Sequence, residues 1–248
     1  MTKDKKKITI AVASGKGGVG KTWFSITMAH GLAKRGDDVL LFDGDFGMAN
    51  VDIQLALMAK HDVASVLTGK VTLNQAVTPY TKGGFGVIAG RSGSGALANV
   101  PASRLQLLKE DLFTLAENYD YTVIDLGAGL EKSVRMFATD TKNLVIVCTD
   151  EPSSITDAYA FIKVMTLTKS KTNIKMVINS ANSIREGEKT YNTILKACQQ
   201  FLGVEPELLG VVRRDTRVRD AIRNQDSILS RYANSDAAED VLTICANL

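Results

Sequence analysis

The chain of 248 residues is 45% hydrophobic and 23% charged, the balance of a folded globular protein rather than a disordered or fibrous one. Cys148, Cys198 and Cys245 lie far apart in apolar surroundings, which argues against a disulfide framework, a zinc site or a C-x-x-C redox motif. Thirty basic against 27 acidic residues leave a net charge of +3, too small to imply nucleic acid by itself, and no apolar run reaches the ~18 residues of a membrane span. The start, Met1 to Lys7, is basic and lacks the apolar core of a signal peptide, so a cytoplasmic protein with a short flexible N-terminus is expected.

In chain order, Val/Ile-rich runs at Ile8–Ala13, Val39–Phe42, Phe85–Ala89, Tyr121–Ile124, Leu144–Thr149, Ile174–Ile178 and Leu209–Val212 read as buried strands. Helical patterns lie between them. Trp23–Lys34 follows the first strand. Leu105, Leu108, Leu112 and Leu115 share one helical face, and Tyr191, Ile194, Leu195, Cys198, Phe201 and Leu202 share another. Strands alternating with helices imply crossover units. The expected fold is therefore α/β, a mostly parallel sheet of about seven to eight strands with helices on both faces, in a single domain over 1–248. Residues 90–98, with three glycines and two serines, suit a loop after a strand; a partner-binding role there competes with a plain surface connection.

Strand Ile8–Ala13 runs into Gly15-Lys16-Gly17-Gly18-Val19-Gly20-Lys21-Thr22, a G-x-x-x-x-G-K-T sequence between a strand and a helix. Glycines allow successive backbone N–H groups to turn toward one anion, and the helix start adds its positive end. Lys21 can reach β/γ-phosphates and Thr22 can ligate Mg²⁺, so ATP and Mg²⁺ are the expected ligands. Lys16 is a second lysine that cradling phosphate does not require. Asp43 and Asp45 follow the second strand, at the sheet end where open α/β sheets bind ligands. Asp125 closes the run Tyr121–Ile124 as a carboxylate expected to hold Mg²⁺ through water, with Gly127 and Gly129 beyond it as a flexible sensor of the γ-phosphate. Asn179 carries the donor and acceptor an adenine edge needs. Trp23 is expected to pack the first helix on the sheet rather than touch nucleotide.

The sequence K-G-G-V-G-K-T at 16–22 resembles the deviant phosphate loop of MinD/ParA-class ATPases. That resemblance implies a sandwich dimer closed on ATP, in which Lys16 reaches the nucleotide of a second copy. It also implies that Asp45 orients the attacking water and contacts the Mg²⁺ shell with Asp43 in support, that Asn179 and Asp215 approach the base, and that Asp157 lies at the dimer face. A turn role is the alternative for Asn179 and Asp215.

Three segments, 45–53, 125–130 and 150–163, are similar to the flagellar-number regulators FlhG (FleN) within that class. The similarity implies control of flagellar number or placement, with the flagellar GTPase FlhF or basal-body proteins as partners and recruitment to a cell pole through them. Relatives stimulate FlhF through an N-terminal extension, whereas seven residues precede the first strand here, so stimulation through such an arm is not expected. The segment 236–248 has three acidic residues and no Lys or Arg, so it is expected to dock on the body rather than anchor to anionic lipid. A DNA-partitioning ATPase is the runner-up, motivated by Arg213, Arg214, Arg217, Arg219, Arg223 and Arg231.

Overall fold

Side chains two apart along a strand share a face, and here both faces are apolar. Ile10 and Val12 join one hydrophobic cluster while Ala11 and Ala13 join the other; Val39 and Leu41 alternate in the same way with Leu40 and Phe42. A sheet buried on both sides is the result. The structure, a computed structural model, describes residues 7–90, 100–168 and 172–248. Residues 1–6 of the basic start and all but Gly90 of the expected 90–98 loop lie outside them.

The strands are β1 (Ile8–Ser14), β2 (Val39–Gly44), β3 (Thr78–Tyr80), β4 (Phe85–Ile88), β5 (Tyr121–Ala128), β6 (Asn143–Cys148), β7 (Asn173–Ala181) and β8 (Glu207–Arg213). They form one sheet in the order β3-β4-β2-β5-β1-β6-β7-β8. All neighbours are parallel except β3 and β4. All seven expected strands are present. The eighth, β3, escapes a periodicity reading because it has three residues, one of them Pro79.

Helices α3 (Val63–Leu67), α4 (Ala102–Ala116), α5 (Lys132–Asp140), α6 (Pro152–Leu167) and α7 (Ile184–Leu202) cover one face. Leu105, Leu108, Leu112 and Leu115 of α4 are buried there as expected. On α7, Ile194 and Cys198 are buried but Phe201 is 68% exposed, one residue before the helix ends, so its place on the apolar stripe is corrected. Ser183 caps α7 by accepting from the Glu186 N–H, and Gly203 ends it in the left-handed conformation.

The other face carries α1 (Lys21–Lys34), α2 (Val51–Gln54), α8 (Thr216–Arg223), α9 (Ile228–Arg231) and α10 (Asp236–Ala246). Helix α1 is buried from Lys21 to Leu32. Its polar side chains are absorbed locally: Thr27 donates to the Trp23 carbonyl one turn back, and His30 Nδ1 lies 2.8 Å from Ser227 Oγ. Trp23 packs in this cluster with 4% exposure, as expected, although its indole N–H has no hydrogen-bond partner.

The C-terminal helix α10 docks on α1 and β8, as its sequence predicts. Ala237, Ala238, Val241, Ile244 and Cys245 are buried. Arg213 pairs with Asp236 and Asp240 at its start, while Arg35 donates to the Cys245 carbonyl at its end. No helix among the described residues is long and apolar enough to cross a membrane.

Candidate nucleotide-binding site

The carboxyl ends of β1, β2, β5, β6 and β7 converge on the loop between β1 and α1, at the point where strand order reverses. Helix α1 begins at Gly20 with no side-chain cap and no acidic residue in its first turn, so its leading N–H groups can serve an anion. Gly20 has φ +87°, which a side chain would strain, and a Cβ there would meet the Asn179 amide nitrogen at 2.4 Å. That amide donates to the Val19 carbonyl at 2.8 Å. Asn179 therefore braces the phosphate loop. It also lies within β7 rather than at its end, because the strand runs on to Ala181.

Beneath the loop sits a buried charged cluster. Lys21 Nζ is 3.2 Å from Asp125 Oδ1, to which Ser25 Oγ donates at 2.9 Å. Both charges are nearly or wholly inaccessible, 7% for Lys21 and 0% for Asp125. The other carboxylate oxygen, Asp125 Oδ2, is buried without a hydrogen-bond partner among the described residues. A buried anionic oxygen left unpaired is expensive, and a hydrated cation would satisfy it. Thr22 and Asp45 would add only oxygen donors to Asp125, a chemistry suited to Mg²⁺ rather than to a softer metal. Strand β5 does not close at Asp125, as the sequence suggests, but continues to Ala128. Asp125 is thereby held in the ladder instead of in a loop.

Asp43 and Asp125 are register partners on adjacent strands β2 and β5. Asp43 is fully buried and accepts N–H bonds from Asp45 at 3.2 Å and from Asn50 and Val51 at 3.1 Å each, so it shapes the loop carrying Asp45. Burial, and then repulsion by Asp125, push the Asp43 carboxyl up from its ordinary 3.8 to about 7 despite those bonds. A raised carboxyl favours the folded state most when protonated. Its contribution is complete below about pH 4 and is lost as pH rises through about 7. Asp43→Asn is therefore expected to flatten the stability profile between pH 4 and 7, by up to about 4 kcal/mol, in urea titrations without nucleotide or metal. An unchanged slope would show that Asp43 does not hold the proton.

Asp45, just past β2, accepts from the Gly47 and Met48 N–H groups at 3.2 and 2.8 Å. A Cβ on Gly127 would sit 3.4 Å from Asp45 Oδ1, an ordinary contact, so the carboxylate lies beside the end of β5. Gly129 donates its N–H to the Ser14 carbonyl at 2.9 Å, tying the end of β5 to the phosphate loop. Asp157, on α6, is half-buried with its backbone against Gly15. Asp215 accepts from the Arg217 N–H at 2.8 Å and caps α8, the turn role that was the alternative to base contact. Three residues were not predicted. Ser25 faces Asp125 from one turn after Lys21, a spacing the helical period does signal. Glu151 and Ser153 bind Lys16 from 135 and 137 residues away, and no local pattern announces them.

This arrangement, a glycine loop at a helix start above a buried lysine, carboxylate and threonine, has the form of a nucleotide site. The CobQ/CobB/MinD/ParA nucleotide binding domain matches residues 10–228. The chain belongs to that family. Within the MinD/ParA family it is similar to the antiactivator FleN of Pseudomonas aeruginosa, 34% identical over 229 residues that cover 92% of this chain and 81% of that protein. It is also similar to the flagellum site-determining protein YlxH of Helicobacter pylori, at 31% identity over 92% of this chain and 76% of the relative. Among solved structures, the cell-division ATPase MinD of Pyrococcus furiosus superposes with a TM-score of 0.83 at 22% identity, covering 97% of this chain and 98% of that one. MinD of Pyrococcus horikoshii, solved with Mg-ADP, superposes equally well, covering 97% of this chain and 95% of that one. The eight-stranded, mostly parallel sheet is thus the MinD-like fold.

Proposed function

We propose that this chain is an ATP-driven pairing switch that controls flagellar number or placement. ATP joins two copies face to face, slow hydrolysis separates them, and partner proteins read the two states. The observation that carries this reading is the pair of lysines on one loop. Lys21 is committed to the buried cluster around Asp125, whereas Lys16 points to the surface and is free of any duty to its own loop.

In this reading Lys21 bonds β/γ-phosphate oxygens, the N–H groups of 15–22 cradle the phosphates, and Asn179 keeps that cradle in shape. Asp45 holds the attacking water in line. Thr22, Asp125 and Asp45 are the residues that would hold Mg²⁺, which would supply neutralisation of the charge on the phosphates. Lys16 supplies a second cation to the nucleotide of the other copy, a device that in related phosphoryl transfers is worth about 10³–10⁵ in rate. Flagellar output is supported by the similarity to FleN, an antiactivator, and to YlxH, a flagellum site-determining protein. FlhF or basal-body components are the partners this predicts, encountered in the cytoplasm or at a pole.

The test is sedimentation with Mg-ATP. Asp45→Ala should bind ATP, remain paired and lose turnover by about 10²–10³, while the wild type returns to monomer as ATP is consumed. An Asp45→Ala chain that stays monomeric in saturating ATP would rule the switch out. The DNA-partitioning alternative loses part of its basis, because Arg213 is spent on Asp236 and Asp240 and Arg231 lies 3.8 Å from Asp220. Exposed Arg214, Arg217, Arg219 and Arg223 keep it testable. ATP-dependent retention on DNA that falls steeply with salt would favour it.

A further inference from the structure

Lys16 is held by its own chain. Its ammonium donates to Glu151 Oε2 at 2.6 Å and to Ser153 Oγ at 2.8 Å, at the N-terminal end of α6. Two features bring these groups within reach. A Cβ on Gly15 would lie 2.3 Å from the Asp157 carbonyl oxygen and 2.8 Å from Asp157 Cβ, so only a bare backbone lets α6 approach the loop this closely. The Ser14 hydroxyl donates to the Lys16 carbonyl at 2.9 Å, fixing the backbone from which the lysine extends.

The start of a sixteen-residue helix is the wrong place for a cation, since the dipole presents its positive end there. The Glu151 carboxylate makes the position tolerable. It lies just before Pro152 at the helix start, and the neighbouring lysine draws its carboxyl below the usual range. The side chains are 36% and 62% exposed, so the contact is open to solvent and easily exchanged for a stronger anion. The triphosphate of a second copy is such an anion.

We infer that Glu151 and Ser153 are positioning residues that hold Lys16 within its own chain and set how much ATP is needed to release it to a second copy. The inference rests on the ATP-driven pairing proposed above. Pairing then costs two such contacts, one per copy, and frees Glu151 on the same face of the molecule.

Two measurements test this separately. In the nucleotide-free chain, acetylation of Lys16 by acetic anhydride, followed by mass spectrometry, reads the hold directly. Glu151→Gln should be acetylated at Lys16 severalfold faster than wild type, Ser153→Ala less so, and Glu151→Asp close to wild type. In an Asp45→Ala background, sedimentation across an ATP series reads the threshold. Glu151→Gln should lower the ATP concentration for half-pairing by about two- to fivefold, the range an exposed charge pair supports. Added salt should narrow the gap between the two thresholds, because only the chain with Glu151 intact has a Lys16–Glu151 pair to screen. Unchanged acetylation would overturn the hold whether or not the chain pairs. Faster acetylation with an unmoved or higher ATP threshold would overturn its control of pairing. Failure of the Asp45→Ala chain to pair at any ATP concentration would sink the pairing reading and with it the threshold, and the acetylation result would still decide the hold.

Discussion

Lys21→Ala is expected to cost the chain turnover and stability by two separable routes. Loss of the ammonium from the phosphates should lower ATP hydrolysis by at least about 10²–10³, the scale of one charged stabiliser at a transferring group. The second route needs no nucleotide. Asp125 is fully buried, and Lys21 is the cation paired with it at 3.2 Å. Removing one partner of a buried ion pair leaves an uncompensated charge, a loss of about 3–5 kcal/mol, readable by urea unfolding of the nucleotide-free chain. Adding Asp125→Asn removes the stranded charge. The double variant should regain most of the stability and none of the turnover. If it is no more stable than Lys21→Ala alone, the Lys21–Asp125 pair is not what the single substitution breaks.

The second large effect is a ranking within one loop. Gly20→Ala combines a left-handed backbone at φ +87° with a Cβ that would strike the Asn179 amide at 2.4 Å. Gly18→Ala carries a similar strain at φ +81° with nothing within 4 Å. Gly17→Ala carries neither, with one ordinary contact to Ala128 at 4.0 Å. Strain alone costs roughly 1–2 kcal/mol. Displacing Asn179 from the Val19 carbonyl adds a lost buried hydrogen bond of about 1–3 kcal/mol. Gly20→Ala should thus be the least stable of the three, about 2–5 kcal/mol below wild type and about 1–3 kcal/mol below Gly18→Ala, and should weaken ATP binding most in calorimetry, with Gly17→Ala close to wild type. Equal losses at 18 and 20 would show that Asn179 does not brace the loop.

These two predictions also mark where the sequence was informative. The phosphate loop was legible because its chemistry lies within eight consecutive residues, and the sheet because its strands are apolar on both faces. Asp43, Asp45 and Asp125 were identifiable by their place after apolar strands. Their electrostatics were not, since the facing of Asp43 and Asp125 depends on a strand order that only the folded sheet reveals. Asp215 matched a pattern for base contact, yet its carboxylate is engaged at a helix start, a competition between capping and ligand that spacing cannot resolve. Phe201 failed for a local reason: helical period assigns a face, but in the last turn Leu202 packs against the core while Phe201 stays exposed. Glu151 and Ser153 stayed hidden because a contact spanning 135 residues of chain leaves no periodicity behind.

The short strand β3 bears on how such a molecule avoids the wrong kind of assembly. If two copies pair on cue, as proposed above, they must not do so off cue, and a sheet's border is the usual route to uncontrolled stacking. Here that border is three residues long, runs against the parallel strands beside it, and has at its centre a proline with no N–H to offer. A second chain finds no ladder there to lengthen. Growth along this border, one of the sheet's two, is disfavoured by the backbone itself, whatever the nucleotide concentration.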